Sequence, residues 1–139
     1  MSIPGNGRNR RASFRNGKPL SSSAKSEKVV KGAGVKPEAV GNGVRRKLLG
    51  FDATLMMVRV DFNSGSIGEL HTHPHRQVTY VASGRFEVEI NGDKKELEEG
   101  DSFIVAPDEP HGVVALEDGT LIDAFTPARE DFLVGATDD

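Results

Sequence analysis

The four histidines of the chain fall in two short segments: His71, His73 and His75 in HTHPHRQ, and His111 in APDEPH. Alternate residues of a strand project to the same face, so His71 and His73 would offer two imidazoles to one ion, at metal–nitrogen distances of about 2.0–2.1 Å. The alternatives are a chance cluster of surface histidines or a histidine that serves the core. The spacing favours a transition-metal site, and the absence of cysteine excludes thiolate ligands and a cysteine nucleophile.

Glycines frame both histidine segments. The first segment reads Gly65-x5-His71-x-His73-x3-Gln77-x6-Gly84, and the second runs from Gly100 to His111. Together they resemble the two signature motifs of the cupin superfamily, Gly-x5-His-x-His-x3–4-Glu-x6-Gly and Gly-x5-Pro-x-Gly-x2-His. The resemblance covers roughly residues 40–133 and implies an all-β fold, the cupin double-stranded β-helix or jelly-roll barrel, with a metal inside it.

The chain departs from those motifs at three positions. Gln77 stands in place of the usual Glu, and Ala106 and Asp108 stand where Pro and Gly are expected. The neighbouring prolines, Pro107 and Pro110, are expected to keep the extended turn that presents the second-motif histidine.

The resemblance implies one divalent transition metal ion, Ni, Zn, Mn or Fe, held by four ligands: His71, His73, Gln77 and His111. Neutral imidazoles and a neutral amide leave the charge of the ion uncompensated, whereas a Glu would cancel one unit, so the site should suit an anionic substrate. The opposite interpretation is that Gln77 weakens metal binding and leaves an inactive pocket. Imidazole-rich sites hold transition metals without a carboxylate, which favours the first interpretation.

The stretch GVVALEDGTLIDAFTPAREDFL, together with HTHPHRQ and the earlier GVRRKLL, is similar to the KdgF-type pectin-degradation cupins. That family acts on 4,5-unsaturated uronates released by pectate and alginate lyases, and promotes ring opening to the linear 5-keto-4-deoxyuronate. The resemblance implies the same substrate class, a small anionic sugar acid, and a homodimer. It also implies that Asp123, Phe125 and Arg129 occupy the catalytic positions.

Each of these side chains suits a task in that chemistry. Asp123 could move a proton between the hemiacetal hydroxyl and the enol carbon. Arg129 offers a planar fork that matches a uronate carboxylate, and Phe125 offers a flat apolar surface for the sugar ring. His75, which follows the interruption at Pro74, is expected at the barrel mouth as a further substrate-binding or supporting residue.

Plainer roles compete with these assignments, because buried acid–base pairs often serve structure. Asp123 could be a buried partner of Arg129, Phe125 could belong to the core, and Arg129 could be a structural clamp. Two other functions also compete with uronate ring opening. One is another metal-dependent cupin activity, a dioxygenase or a sugar isomerase, and the other is a non-enzymatic sugar-binding sensor.

Short strands must position these side chains. Residues 55–62 alternate, with Met56, Val58, Val60 and Phe62 on one face, and residues 85–90 alternate through Phe86, Val88 and Ile90. Period two predicts half-buried strands. Asn91-Gly92 suits the positive φ angles of a type I′ hairpin turn, with residues 93–98 returning as its second strand.

The later part of the chain continues this pattern. Residues 102–106 are expected to form a compact buried strand, and Asp118-Gly119 between residues 112–116 and 120–125 is a second hairpin signal. The sequence predicts no helix of ten or more residues. Strands at this spacing predict an all-β sandwich or barrel.

The formal net charge of -3 hides a division of the chain. Residues 1–47 carry 12 Lys or Arg and 2 Asp or Glu, a balance of +10, whereas residues 48–139 carry 6 and 19, a balance of -13. We therefore predict a basic, disordered segment over residues 1–35 and a cupin β-barrel domain over residues 36–139. An anionic substrate can bind the acidic domain only if the barrel mouth is locally positive, through the metal and Arg129.

The basic segment is expected to be a solvated tail. Arg10-Arg11 resembles an export signal, but no apolar region follows it, and glycines and prolines interrupt any transit-peptide helix. The pattern Arg10-Arg11-Ala12-Ser13 is too short to establish a phosphorylation site. A basic arm could contact nucleic-acid phosphates, yet no folded nucleic-acid-binding motif is visible. No run of about 18 apolar residues is present, so we expect a cytoplasmic protein with neither membrane nor nucleic acid as a partner.

Overall fold

The computed structural model describes residues 24–137. They form a short 3-10 turn at Gly32–Gly34, ten strands and one C-terminal helix, α1, at Glu130–Thr137. The strands are β1 (Glu38–Gly41), β2 (Val44–Phe51), β3 (Met56–Phe62), β4 (Ile67–His71), β5 (Arg76–Ser83), β6 (Arg85–Ile90), β7 (Asp93–Glu98), β8 (Ser102–Val105), β9 (His111–Ala115) and β10 (Gly119–Thr126). The predicted all-β class is confirmed.

The strands form two sheets. A six-stranded sheet has the order β1-β2-β3-β10-β5-β8, and a four-stranded sheet has the order β4-β9-β6-β7. By contacts, the chain divides into two compact units. Within the described residues, the first unit comprises 24–31, Leu49–Met56 and 126–137, and the second comprises Gly32–Leu48 and Met57–Phe125.

The core of the second unit lies between its two layers. Its buried members come from both sheets: Val44, Phe62, Val81 and Leu121 from the six-stranded sheet, and Phe86, Val88 and Ala115 from the four-stranded sheet. Phe62 and Phe86 meet across the layers edge to face, with ring centroids 5.2 Å apart. Burying such a side chain contributes about 1.5–3 kcal/mol, so these aromatic residues hold the sheets together.

In the first unit, the segment around Ser26 is tied to the end of β2. The Ser26 amide donates to the Phe51 carbonyl at 2.9 Å, and the Phe51 amide donates to Ser26 Oγ at 2.9 Å. Asp52 closes the next turn, because its Oδ1 accepts the backbone amides of Thr54 and Leu55 at 2.9 and 3.0 Å. These bonds, with the Thr54 hydroxyl, hold the pKa of Asp52 below its ordinary value.

The two alternating strands are confirmed. In β3, Met56, Val58 and Phe62 are buried while Met57 and Arg59 are exposed. In β6, Phe86 and Val88 are buried, and β7 pairs with β6 from Arg85↔Glu98 to Ile90↔Asp93. The hairpin turn between them has φ of 52° at Asn91 and 82° at Gly92, as expected.

Two predictions about the later strands are wrong. Strand β8 is not compactly buried, since it is an edge strand in which only Val105 is fully buried and Ile104 is 61% exposed. Asp118-Gly119 does not make a hairpin, because β9 and β10 belong to different sheets. Gly119 is needed for close approach instead: a Cβ there would lie 2.6 Å from the Ser83 carbonyl oxygen.

Much of the predicted basic segment, including Arg10-Arg11, lies outside the described residues, so the disorder predicted for residues 1–35 and the boundary at residue 36 stay predictions. Between residues 24 and 137, no helix is long and apolar enough to cross a membrane.

Candidate metal centre

Two histidines of the site are cross-strand neighbours. His71 is the last residue of β4 and His111 is the first residue of β9, and the two pair directly in the antiparallel register. Their ring centroids lie 4.4 Å apart. The pairing of β4 with β9 therefore brings together residues from the two sequence motifs.

His73 lies in a loop, and its ring stands beside those of His71 and His111. Strand β4 ends at His71, and the next strand begins at Arg76, so the expectation that a single strand carries both His71 and His73 is wrong. Pro74 restricts the backbone of the residue before it and has no amide hydrogen to donate. The loop is held by the Asp108 amide, which donates to the His73 carbonyl at 2.8 Å. As a result, the His73 ring centroid lies 5.4 Å from that of His71 and 4.8 Å from that of His111.

All three rings are oriented in the same way. The Nδ1 atom of each lies against a backbone carbonyl oxygen two residues away: His71 with Glu69 at 2.7 Å, His73 with His75 at 3.1 Å, and His111 with Glu109 at 2.8 Å. A carbonyl can only accept, so each Nδ1 carries the hydrogen and donates it. In the neutral rings each Nε2 then presents a lone pair, which is the tautomer that a metal ion requires.

Gln77, at the start of β5, completes the cluster. Its Oε1 lies 2.9 Å from Nε2 of His73 and 3.2 Å from Nε2 of His111. Because Nδ1 carries the hydrogen in each neutral ring, Gln77 Oε1 and the Nε2 atoms of His73 and His111 are all acceptors. They lie close together with no proton between them. A cation satisfies such a set, so the residues present fit a bound metal ion.

Burial and spacing support the same interpretation. His73, Gln77 and His111 are 5%, 7% and 3% exposed, whereas His71 is exposed and faces the solvent side. One ring nitrogen from each of the three histidines lies within 4.8 Å of the others, a group that could hold a metal ion. The four predicted ligands therefore lie together.

Behind Gln77, a hydrogen-bond relay leads to Asp123. The amide Nε2 of Gln77 donates to Oγ1 of Thr79 at 2.8 Å, and the Thr79 hydroxyl donates to Oδ1 of Asp123 at 2.6 Å. A longer contact of 3.4 Å joins Gln77 Nε2 to the same carboxylate oxygen. Sequence reasoning missed Thr79, although it has the same strand parity on β5 as Gln77 and could have been found from that spacing.

Phe125 and His75 both lie against His73. Phe125 shares its strand parity with Asp123 on β10, and its ring centroid is 5.7 Å from that of His73, at 80°. The His75 ring stands edge to face with His73 at 5.4 Å. Phe125 is only 2% exposed and His75 is half-buried. Their roles toward a substrate stay predictions.

Arg129 belongs to the first unit and directly precedes α1. Its Nε and Nη2 donate to the two carboxylate oxygens of Asp131 at 3.0 and 2.7 Å. The guanidinium carbon lies 4.3 Å from the centre of the Phe132 ring, a cation–π contact. Its predicted role as the clamp for the substrate carboxylate stays a prediction.

A second residue that the sequence reasoning missed, Glu109, shapes the turn before His111. Its carboxylate accepts the Ala106 amide at 2.8 Å and the Asn91 side-chain amide at 2.7 Å. These bonds hold the pKa of the Glu109 carboxyl below its ordinary value. This side chain ties the turn to the β6–β7 hairpin together with the Pro110 carbonyl, which accepts the Asn91 backbone amide at 2.9 Å. The role expected of Pro107 and Pro110 in keeping the turn extended stays a prediction.

The backbone conformation explains why the motif has glycine at three of its positions. Gly65, Gly84 and Gly100 all have positive φ, at 86°, 84° and 97°. Asp108, where the motif usually has glycine, has a φ of 66°. Asp is one of the few residues that adopts this conformation readily, so the departure preserves the turn.

Comparisons with known proteins agree with this fold. The family described as "Cupin domain" matches residues 58–123. The pectin degradation protein KdgF of Dickeya dadantii is 49% identical over 98 residues, which cover 69% of this chain and 89% of that protein.

Solved structures give the same result. An RmlC-like cupin from Shewanella frigidimarina superposes with a TM-score of 0.77 at 45% identity, covering 78% of this chain and 98% of that one. KdgF from Halomonas sp. superposes with a TM-score of 0.74 at 38% identity, covering 78% of this chain and 100% of that one.

Proposed function

The chain belongs to the cupin superfamily, as a relative of KdgF, and from that premise we propose that it is a metal-dependent enzyme of pectin or alginate breakdown. Its reaction is the opening of the ring form of 4,5-unsaturated uronates to the linear 5-keto-4-deoxyuronate. The observation that carries the proposal is the convergence of lone pairs from His73, His111 and Gln77, joined by a two-bond relay to the Asp123 carboxylate.

The metal would be held by His71, His73, Gln77 and His111. Imidazole donors suit Zn²⁺, Fe²⁺ or Ni²⁺ better than Mn²⁺. A bound divalent ion supplies Lewis acidity, which polarises substrate oxygen atoms and makes a hydroxyl more acidic. Because all four ligands are neutral, the centre keeps its positive charge and favours a substrate that carries a carboxylate.

The reaction is an isomerisation in which one proton moves. It leaves the C1 hydroxyl, the bond between C1 and the ring oxygen breaks as the C1 carbonyl forms, and the electron pair stays on the ring oxygen as an enolate. Protonation at C4 then gives the C5 ketone. Asp123 is the proposed carrier of this proton, since a positioned carboxylate can accept and return it.

The relay ends on one of the two Asp123 oxygens. Oδ1 accepts the Thr79 hydroxyl at 2.6 Å and the Gln77 amide at 3.4 Å, so it is committed to acceptor contacts. The proton is proposed to be carried on the carboxylate of Asp123 while Oδ1 keeps these contacts. Asp123 is half-buried, so the residue keeps some contact with solvent.

The remaining residues are proposed to bind the sugar. The rings of Phe125 and His75 both contact the His73 ring, where a flat ring can limit the position of the sugar. Arg129 presents a guanidinium already used to bind a carboxylate in two-point geometry, that of Asp131. To be bound in the same way, a uronate carboxylate would take the place of Asp131 on the guanidinium.

The test uses the metal-loaded protein and unsaturated monouronate prepared with a lyase. We expect the absorbance of the C4=C5 bond to decay faster with the protein than without it, and the acceleration to disappear after chelation and return with metal. A folded, metal-loaded sample that gives only the spontaneous rate would contradict the proposal. Oxygen consumption would indicate a dioxygenase, and saturable binding without turnover would indicate a sugar sensor. A homodimer remains expected, and light scattering would test it.

A further inference from the structure

We propose that Thr79 is a positioning residue that aims the Gln77 amide oxygen at the metal centre. We further propose that the relay Gln77–Thr79–Asp123 makes an amide, rather than a carboxylate, the side chain that fits position 77. The inference deepens the proposed function and rests on its metal centre.

An amide side chain can place either its oxygen or its nitrogen toward the histidines, and only the oxygen can bind a metal ion. In this site the Gln77 nitrogen donates at 2.8 Å to the Thr79 hydroxyl, which leaves the oxygen facing His73 and His111 at 2.9 and 3.2 Å. Thr79, which accepts the hydrogen bond from the Gln77 nitrogen, therefore determines which of the two amide orientations Gln77 adopts.

Toward Gln77, Thr79 can only accept, because it gives its own hydrogen elsewhere. Its hydroxyl has one hydrogen, which goes to Asp123 Oδ1 at 2.6 Å. Thr79 is fully buried, so no water can substitute for either partner. The carboxylate thus fixes the direction of the hydroxyl, and the hydroxyl fixes the direction of the amide.

Because the Thr79 hydroxyl has a single hydrogen, the same argument explains why an amide stands at position 77, where cupins usually have a carboxylate. A carboxylate at position 77 has no hydrogen to give, and it would compete with Asp123 for the single hydroxyl hydrogen of Thr79. One of the two carboxylates would then face the hydroxyl oxygen without a donor. Leaving a buried polar group unsatisfied in this way is unfavourable.

The chain offers a matched control. Thr120 donates to Asp61 Oδ1 at 2.6 Å, a bond with the same donor type, acceptor type and length as that of Thr79. Thr120 is buried, at 8% exposed, and its bond to Asp61 lies outside the metal cluster. A threonine-to-valine change at position 120 therefore removes the same kind of bond without touching the ligands.

The first experiment titrates the chelated protein with Co²⁺ and follows both the affinity and the visible absorption bands, which report the ligand set. We expect Thr79→Val to weaken Co²⁺ binding by about tenfold or more and to change the bands, as loss of a ligand-orienting partner does. Thr79→Ser, which keeps the hydroxyl, should stay within about threefold of the wild type, and Thr120→Val should leave affinity and bands unchanged. Equal effects of Thr79→Val and Thr120→Val would overturn the inference, as would no effect of either.

The second experiment is a double-mutant cycle on Gln77→Glu and Asp123→Asn, again with Co²⁺ affinity as the readout. In the wild type, Asp123→Asn removes a carboxylate near the ion and should weaken binding. In the Gln77→Glu background it should strengthen binding, because the new amide can donate to Thr79, whose hydroxyl then turns toward position 77. The same sign in both backgrounds would refute the relay.

These outcomes separate the inference from the proposed function. A wild-type protein that does not bind Co²⁺ contradicts both. A wild-type protein that binds Co²⁺ but is indifferent to Thr79→Val contradicts the inference alone. Turnover of unsaturated uronate is not needed for either result.

Discussion

His71 and His111 face each other across the antiparallel pair of β4 and β9, with ring centroids 4.4 Å apart. The two residues come from different sequence motifs and meet only because those strands pair. The pairing of β4 with β9 therefore sets the distance between two of the candidate metal ligands.

The first prediction concerns the ligand at the start of β9. His111→Ala should lose most of the bound metal, because His111 is 3% exposed and supplies one of the converging lone pairs. Elemental analysis after dialysis against a mild chelator measures the retained metal. Retention at the wild-type level would show that His111 is not a ligand.

The second prediction concerns the glycine next to that histidine. A Cβ at Gly112 would lie 2.9 Å from the Gly68 carbonyl oxygen and 3.1 Å from the backbone of Leu70. Gly112→Ala should therefore push β4 away from β9, reduce the free energy of unfolding by about 1–3 kcal/mol, and weaken metal binding. Gly50→Ala is the control, since a Cβ there meets nothing within 4 Å. Urea unfolding and Co²⁺ titration measure the two effects, and wild-type affinity in the Gly112 variant would contradict the prediction.

The third prediction concerns the proton carrier. Asp123→Asn keeps a hydrogen-bond acceptor for Thr79 but cannot carry the proton, so kcat on unsaturated uronate should fall by about 10²–10⁴-fold. The assay uses saturating metal, so that weaker metal binding does not enter the comparison. The melting temperature should change little by comparison. Undiminished turnover would remove Asp123 from the proposed mechanism.

The fourth prediction concerns the substrate carboxylate. Arg129→Lys replaces a two-point fork with a point charge, so KM for unsaturated uronate should rise by about tenfold, with a smaller change in kcat. Arg59→Lys is a matched control, because Arg59 also binds an aspartate two residues away, Asp61, at 3.1 Å. Steady-state kinetics of both variants measure KM and kcat, and only Arg129→Lys should raise KM. Equal KM values in the two would argue for a structural clamp.

The fifth prediction concerns pH. Burial raises the pKa of Asp61, but hydrogen bonds from Arg59 and Thr120 and the charge of Arg59 outweigh it, so the pKa lies below its ordinary value. A lowered pKa stabilises the fold above the ordinary value of 3.8, and this contribution is lost as the pH falls through the lower folded value.

The variant for this test is Asp61→Asn. It should unfold more easily than the wild type at pH 7, by about 0.2–1 kcal/mol, and the difference should shrink as the pH falls below 3.8. Urea unfolding of the metal-free proteins at pH 7 and about pH 3 measures this. A difference of the same size at both pH values would assign the effect to packing.

The alternating strands, and the residues that come together as candidate ligands, could be predicted because their signals lie in short segments of sequence. The period-two alternation of β3 and β6 follows from the strand geometry, and the ligand set follows from motif spacing. Even the departure at Asp108 kept the expected backbone, with φ of 66°.

The features that sequence reasoning missed depend on long-range contacts. Asp118-Gly119 has the composition of a hairpin turn, but the close approach of Gly119 to Ser83 carries the chain from one sheet to the other. Thr79 and Glu109 act through side chains that are distant in sequence, Asp123 for Thr79 and Asn91 for Glu109. Their composition gives no sign of this, because Thr in a strand and Glu in a loop are ordinary residues.

The absence of cysteine gives the ligand set a second consequence. These 139 residues contain no cysteine and so form no disulfide. An ion held jointly by His111 and Gln77, which are 34 positions apart, would close a loop of that length and restrict the unfolded ensemble much as a disulfide does. Metal supply would then set the lifetime of the folded protein as well as its catalytic competence.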